Sequence, residues 1–285
     1  MKEVNVIAIR IFTDSTCDLS LEDQKRLDIN VIPLTVTFSG ESYLDGIDIS
    51  NVQFYEKLEK CVELPTTSQP PPQSFIDAFE KYLDAGDEIV GVFISEKISG
   101  TYDSACIAKN IIMSDNLHIV DSRSTAMGLG LISAEAAKLR DAGSSAVQIV
   151  EHVKMLSKKV RLFAALDTLK YLRKGGRISV TSAVMGKFLG MKPIVSIVEG
   201  KIQPAGIARG MQEAISVVLK KVLTDLPDLR YGVAFSHSLA PDLLEKAVEY
   251  MKETLKFDEW LRCDFSSVIG TYAGIGSIGF AYIAQ

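Results

Sequence analysis

The chain has 285 residues, 47% of them hydrophobic and 24% charged, enough for one large α/β domain or two smaller ones with ample core. Lysine and arginine total 31 against 36 for aspartate and glutamate, a net charge of −5 that argues against nucleic acid as the main partner, because phosphate backbones need a basic surface. The four cysteines, Cys17, Cys61, Cys106 and Cys263, are too scattered for a metal or redox motif, and no apolar run approaches the roughly 18 residues of a membrane span. Free thiols and a cytoplasmic protein without stable membrane insertion are therefore expected.

Residues 4–12 predict a first strand, closed by Thr13-Asp14-Ser15-Thr16. Polar groups at the carboxyl end of a first parallel strand are where open α/β sheets place ligands, although Asp14 and Ser15 would serve equally well to order the turn. Ser20 with Asp23 reads as a helix start. Residues 29–38 predict a second strand and residues 39–49 a polar excursion, after which Ser50 and Gln53 form a capping box for a helix to about residue 61. Residues 64–72 contain four prolines, which forbid a helix and hold Thr66, Thr67 and Ser68 on a stiff, extended loop. A helix over residues 73–85 follows.

Residues 87–105 organise the first half. The apolar run 89–94 predicts a strand covered on both faces, and Ser95, Ser99, Gly100 and Thr101 then lead into a helix from Thr101. Such a hydroxyl-rich loop either caps the helix or offers its free N–H groups and dipole to an anion. Residues 117–121 predict the next strand, followed by helices over 130–140 and 145–158. Strands alternating with helices predict a parallel, three-layer, Rossmann-like domain over residues 1–160.

A different pattern begins near residue 161. A strand over 161–166, a short helical turn, and the basic glycine loop Arg173-Lys174-Gly175-Gly176-Arg177 precede an apolar helix over 183–189. Residues 193–198 and 201–208 predict a hairpin across Glu199-Gly200, and residues 209–223 a helix. The remainder predicts a strand over 231–236, a helix over 241–255, and strands over 264–271 and 278–284. The fold class is thus α/β, with a second, two-layer domain over residues 161–285 built on a mixed sheet, and a cleft between the two.

A self-contained catalyst is not evident. No serine sits in G-x-S-x-G, no Walker A sequence occurs, and the three histidines, His118, His152 and His237, are dispersed. Gly274-Ile275-Gly276-Ser277-Ile278-Gly279 fits G-x-G-x-x-G without the βαβ context that gives that motif meaning. The residues allow an enzyme acting on a small phosphorylated or carboxylated substrate at a cleft of Asp14, Ser99 and Arg177. They also allow a binding protein, or a scaffold.

Taken together, Thr13-Asp14-Ser15-Thr16, Pro33-Leu34, Thr67-Ser68-Gln69-Pro70, Ser99-Gly100-Thr101-Tyr102, Asp121-Ser122, Gly175-Gly176-Arg177, Lys192-Pro193 and Arg209-Gly210 resemble the DegV family. That group includes the fatty acid-binding B subunits of bacterial fatty acid kinase. The resemblance implies a monomeric carrier that encloses a long-chain fatty acid, without any other cofactor or metal, and performs no chemistry itself. An ATP-dependent fatty acid kinase subunit would convert the presented acyl group to an acyl phosphate. The resemblance assigns the carboxylate to Thr67 and Ser99 with Ser95 and Tyr272, supported by Asp14, Ser15, Ser68 and Thr101. Arg173, Lys174, Arg177 and Arg209 would dock the partner, and Val184, Phe188, Met191 and Ile194 would wall the tunnel. Two departures stand out: Tyr272 occupies the place of a usual histidine, and Glu96 that of a small polar residue.

Overall fold

The computed structural model describes residues 7–178, 190–258 and 260–285. The first sheet is parallel in the order β2-β1-β6-β7, formed by β1 (Ile9–Asp14), β2 (Ile29–Ile32), β6 (Glu88–Phe93) and β7 (Leu117–Asp121). Its strands are the short apolar runs that a doubly covered sheet demands. The capping box at Ser50 and Gln53 forms as expected and opens α2 (Asn51–Lys60); the shorter α1 (Leu21–Arg26) starts at the Ser20 cap. The first six residues, part of the expected first strand, lie outside the described residues.

The expected strand over 29–38 breaks in two. Pro33 lacks the N–H that would continue the ladder, and the chain turns there into β3 (Thr35–Phe38), the centre of a small antiparallel sheet β4-β3-β5. The supposed polar excursion supplies β4 (Glu41–Leu44), and the stiff proline loop supplies β5 (Thr66–Ser68), which pairs Thr67 with Val36. Pro72 then opens α3 (Pro72–Leu83), and α4 (Thr101–Ile112) follows β6.

The second sheet is mixed, in the order β10-β9-β8-β13-β11-β12. Its strands are β8 (Val160–Ala165), β9 (Lys192–Val198), β10 (Lys201–Ala208), β11 (Val233–His237), β12 (Trp260–Asp264) and β13 (Ile278–Ile283). Only β11 and β12 run parallel. α7 (Lys170–Lys174), α8 (Met211–Val222) and α9 (Pro241–Leu255) accompany this sheet. The apolar helix expected over 183–189 lies outside the described residues.

Between the two large sheets runs α5 (Ala126–Asp141), with α6 (Ala146–Lys159) beside it. Residues 126–137 of α5 are all buried, Leu129 and Ile132 against the first sheet and Met127 and Leu131 against the second. A helix enclosed on all sides is apolar all round, so α5 lacks the one-sided pattern of a surface helix. It also starts four residues before the predicted boundary at residue 130, and Gly128 and Gly130 sit where other elements press close.

Residues 264–271 depart most from expectation. The β-branched run suggests a strand, but Ser267–Ala273 form a helix, α10, capped by the Ser266 hydroxyl. Asp18 accepts the Ser266 N–H and Asp45 the Ser267 N–H, so two carboxylates more than 220 residues away in sequence fix the helix start. Burial raises the pKa of both.

Candidate functional site

A narrow cavity of about 80 Å³ lies where α10, the inner faces of β8 and β9, the β6–α4 loop and the start of α5 meet. Its polar or charged lining residues are Thr67, Ser99, Thr125, Arg177 and Tyr272; the others, including Ile94, Ile98, Leu162, Val195, Ile197 and Phe265, are apolar. Among the described residues, Arg177 supplies the only charged side chain on this wall.

Each polar group arrives from a different element. Thr67 projects from β5 to share a hydrogen bond of 2.6 Å with the Tyr272 hydroxyl, in the last turn of α10. The Arg177 guanidinium lies over the Tyr272 ring at 5.0 Å, and its Nη1 donates to the Gly175 carbonyl at 2.6 Å. Ser99 shares a hydrogen bond of 2.9 Å with the buried Thr101 hydroxyl and accepts the Thr101 N–H at the head of α4. Four residues named from the sequence, Thr67, Ser99, Tyr272 and Arg177, therefore line one cavity.

Other sequence candidates are placed elsewhere. Ser95 is buried and donates to the Gly200 carbonyl at 2.8 Å, so it joins the β9–β10 turn to the β6–α4 loop and does not line the cavity. Asp14 is fully buried and accepts the Thr16 N–H, the Thr16 hydroxyl and the Ile94 N–H; burial pushes its pKa up to about 6. It is a buried brace between β1 and the end of β6, so the cleft of Asp14, Ser99 and Arg177 does not assemble. Ser15 accepts the Leu34 N–H at the corner between β2 and β3, and Ser68 is exposed because neighbouring strand residues face opposite ways.

The same alternation corrects the tunnel wall on β9: Ile194 packs with the core behind the sheet, among α8 residues, while Val195 and Ile197 face the cavity. Met191 is half-buried beside β9 and is not a lining residue. Val184 and Phe188 lie outside the described residues. Arg173, Lys174, Arg177 and Arg209 are all exposed, and of these only Arg177 also lines the cavity, at its rim. Glu96 is exposed and lines no part of it. Thr125 was invisible from sequence: it ends a serine-rich turn, and only the packing of α5 brings it to the wall.

Fold and site define an α/β protein of three sheets with a largely apolar cavity whose lining includes hydroxyls and one guanidinium. The chain belongs to the DegV family, whose family model matches residues 8–285. A DegV domain-containing protein of Clostridium perfringens is 33% identical over 285 residues, covering 98% of this chain and all of the relative. A fatty acid-binding DegV family protein of Thermus thermophilus superposes with a TM-score of 0.88 at 29% identity, covering 98% of this chain and 100% of that one. A stearic acid-binding protein of Eubacterium ventriosum superposes with a TM-score of 0.86 at 27% identity, covering 97% and 98%. Among the described residues, no helix is long and apolar enough to cross a membrane.

Proposed function

We propose that this chain binds one long-chain fatty acid between its two halves, the acyl chain in the apolar cavity and the carboxylate against Thr67, Ser99, Tyr272 and Arg177. The carrying observation is that a largely apolar cavity has, beside four hydroxyl-bearing residues, a single charged lining group among the described residues, a guanidinium. An amphiphile with an anionic head answers both properties. Each methylene buried gains about 0.8 kcal/mol before ordering costs, so the tail supplies affinity. Hydroxyls and guanidinium keep the buried carboxylate paired and set its orientation. The relatives that bind fatty acids support this reading.

In this proposal residues 1–160 carry the Thr67 and Ser99 loops and residues 161–285 close over the chain. The protein is a monomeric cytoplasmic carrier without catalysis of its own. It presents the carboxylate to a separate ATP-dependent kinase subunit, which forms the acyl phosphate, and the exposed Arg173, Lys174 and Arg209 are the docking cations. The test is solvent extraction of purified protein followed by mass spectrometry, expected to release one fatty acid per chain. Protein that carries none and takes up none after delipidation refutes the binding role. Turnover of an acyl substrate without a kinase subunit refutes the carrier role.

A further inference from the structure

The start of α5 lies on the cavity wall with a hydroxyl to spare. Thr125 holds the N-cap position in extended backbone, φ −156° and ψ −177°. A threonine there ordinarily accepts an N–H from the first turn of its helix, satisfying one of the free donors. Thr125 makes no such bond; its carbonyl takes the Gly128 and Leu129 N–H groups, and its hydroxyl has no partner. The residue is only 7% exposed and lines the cavity. Its neighbours in the same turn are engaged: Ser122 donates to the Ser124 carbonyl and accepts the Ser124 N–H.

A buried hydroxyl with no partner is unfavourable, and one kept at a cavity wall fits an acceptor that arrives with a ligand. Two further features favour an anionic oxygen. The positive end of a 16-residue helix opens there, and that end attracts negative charge. The Ser95 N–H donates to the Ser124 carbonyl at 2.8 Å, so this turn lies alongside the loop that carries Ser99. A carboxylate has about four acceptor directions, more than Thr67 and Ser99 fill, and Thr67 already shares its hydroxyl with Tyr272.

We infer that Thr125, at the N-terminus of α5, is a third hydroxyl donor to the carboxylate of the bound acyl ligand. This rests on the fatty acid reading above. The group it recognises is an acceptor oxygen, and its hydroxyl is kept free of the helix for that purpose.

The experiment compares Thr125→Val and Thr125→Ser with the unaltered chain, each delipidated, by thermal unfolding and by stearate titration. Valine keeps the shape and removes the hydroxyl. The expected result for Thr125→Val is an apo protein at least as heat-stable as the parent, with stearate binding about tenfold weaker. Thr125→Ser should bind within about threefold of the parent. If Thr125 is only a helix cap, Thr125→Val melts several degrees lower without ligand and binds stearate as the parent does, which overturns the inference. Equal loss of binding in the serine and valine variants also overturns it. Thr67→Val with Ser99→Ala is titrated alongside: a parent chain that binds no stearate sinks the fatty acid reading itself. Binding weakened in that double variant but unchanged in Thr125→Val sinks only the role of Thr125.

Discussion

The Thr67 and Tyr272 hydroxyls share a 2.6 Å hydrogen bond across 205 positions of sequence, joining the small sheet to the last turn of α10. One proton lies between the two oxygens, and the other can point at a ligand. Tyr272→Phe removes this bond and leaves the ring under Arg177. Stearate affinity should fall about threefold to tenfold, and the apo protein should lose about 1 kcal/mol in chemical denaturation. Tyr272→His has a different signature. An imidazole titrating near pH 6.5 would make binding tighten as pH drops from about 7.5 to 5.5, a dependence that isothermal titration should not find in the parent.

A second contact sets the spacing of the two proposed carboxylate loops. Gln69, two residues beyond Thr67, donates through Nε2 to the Ser104 hydroxyl at 3.0 Å, and its amide lies against Gly100, beside Ser99. A Cβ on Gly100 would stand 2.1 Å from Gln69 Oε1, so Gly100→Ala must push that exposed side chain away. Gly100→Ala and Gln69→Ala should each weaken stearate binding severalfold with small effects on folding. Their double variant should show little further loss, since both break one contact. Additive losses in the cycle would separate the two residues.

Much of this was legible because it is local. The parallel strands of the first half, the hairpin at Glu199-Gly200 and the Ser50–Gln53 capping box follow from alternation, turn residues and capping chemistry that lie within a few positions of one another. Thr67 and Ser99, which the family resemblance singled out, both lie on the cavity wall. What stayed hidden depends on distant partners. α10 reads as a strand until Asp18 and Asp45 hold its first turn, and nothing local shows that the exposed Arg177 lies over the Tyr272 ring at the cavity. Ser95 has the same composition signal as Ser99; only the approach of Gly200 separates their roles.

That approach is itself testable. Gly200 has φ +79°, which disfavours a side chain, and a Cβ there would lie 2.5 Å from Ser95 Oγ. Lys97 Nζ also donates to the Glu199 carbonyl at 3.0 Å, so the turn and the β6–α4 loop are fastened at two points. Gly200→Ala should cost about 1–3 kcal/mol of stability from strain and the lost contact, measured by urea denaturation. Ser95→Ala, which removes the hydroxyl without strain, should cost about 1 kcal/mol and leave stearate affinity within about twofold. A large affinity loss in Ser95→Ala would return Ser95 to the ligand.

Asp14 makes stability depend on pH in a defined direction. Full burial disfavours its charged form more than the Thr16 and Ile94 donors favour it, and its pKa rises from 3.8 to about 6. A carboxyl whose pKa rises on folding holds its proton more tightly in the native state. Its stabilising contribution is complete below about pH 4 and is lost as pH climbs through 6, a change of about 3 kcal/mol. The carboxyl carbon of Asp14 should titrate near pH 6 by NMR. In Asp14→Asn the slope of unfolding free energy between pH 4 and 6 should shrink by the share of Asp14, leaving that of Asp18 and Asp45. The variant should also be less stable overall, because two oxygens accept from Thr16 and Ile94, and an amide must turn its NH₂ toward one of those donors. An Asp14 titration near pH 4 would mean that the three hydrogen bonds outweigh burial, and the slope would then belong to Asp18 and Asp45, whose pKa values burial also raises.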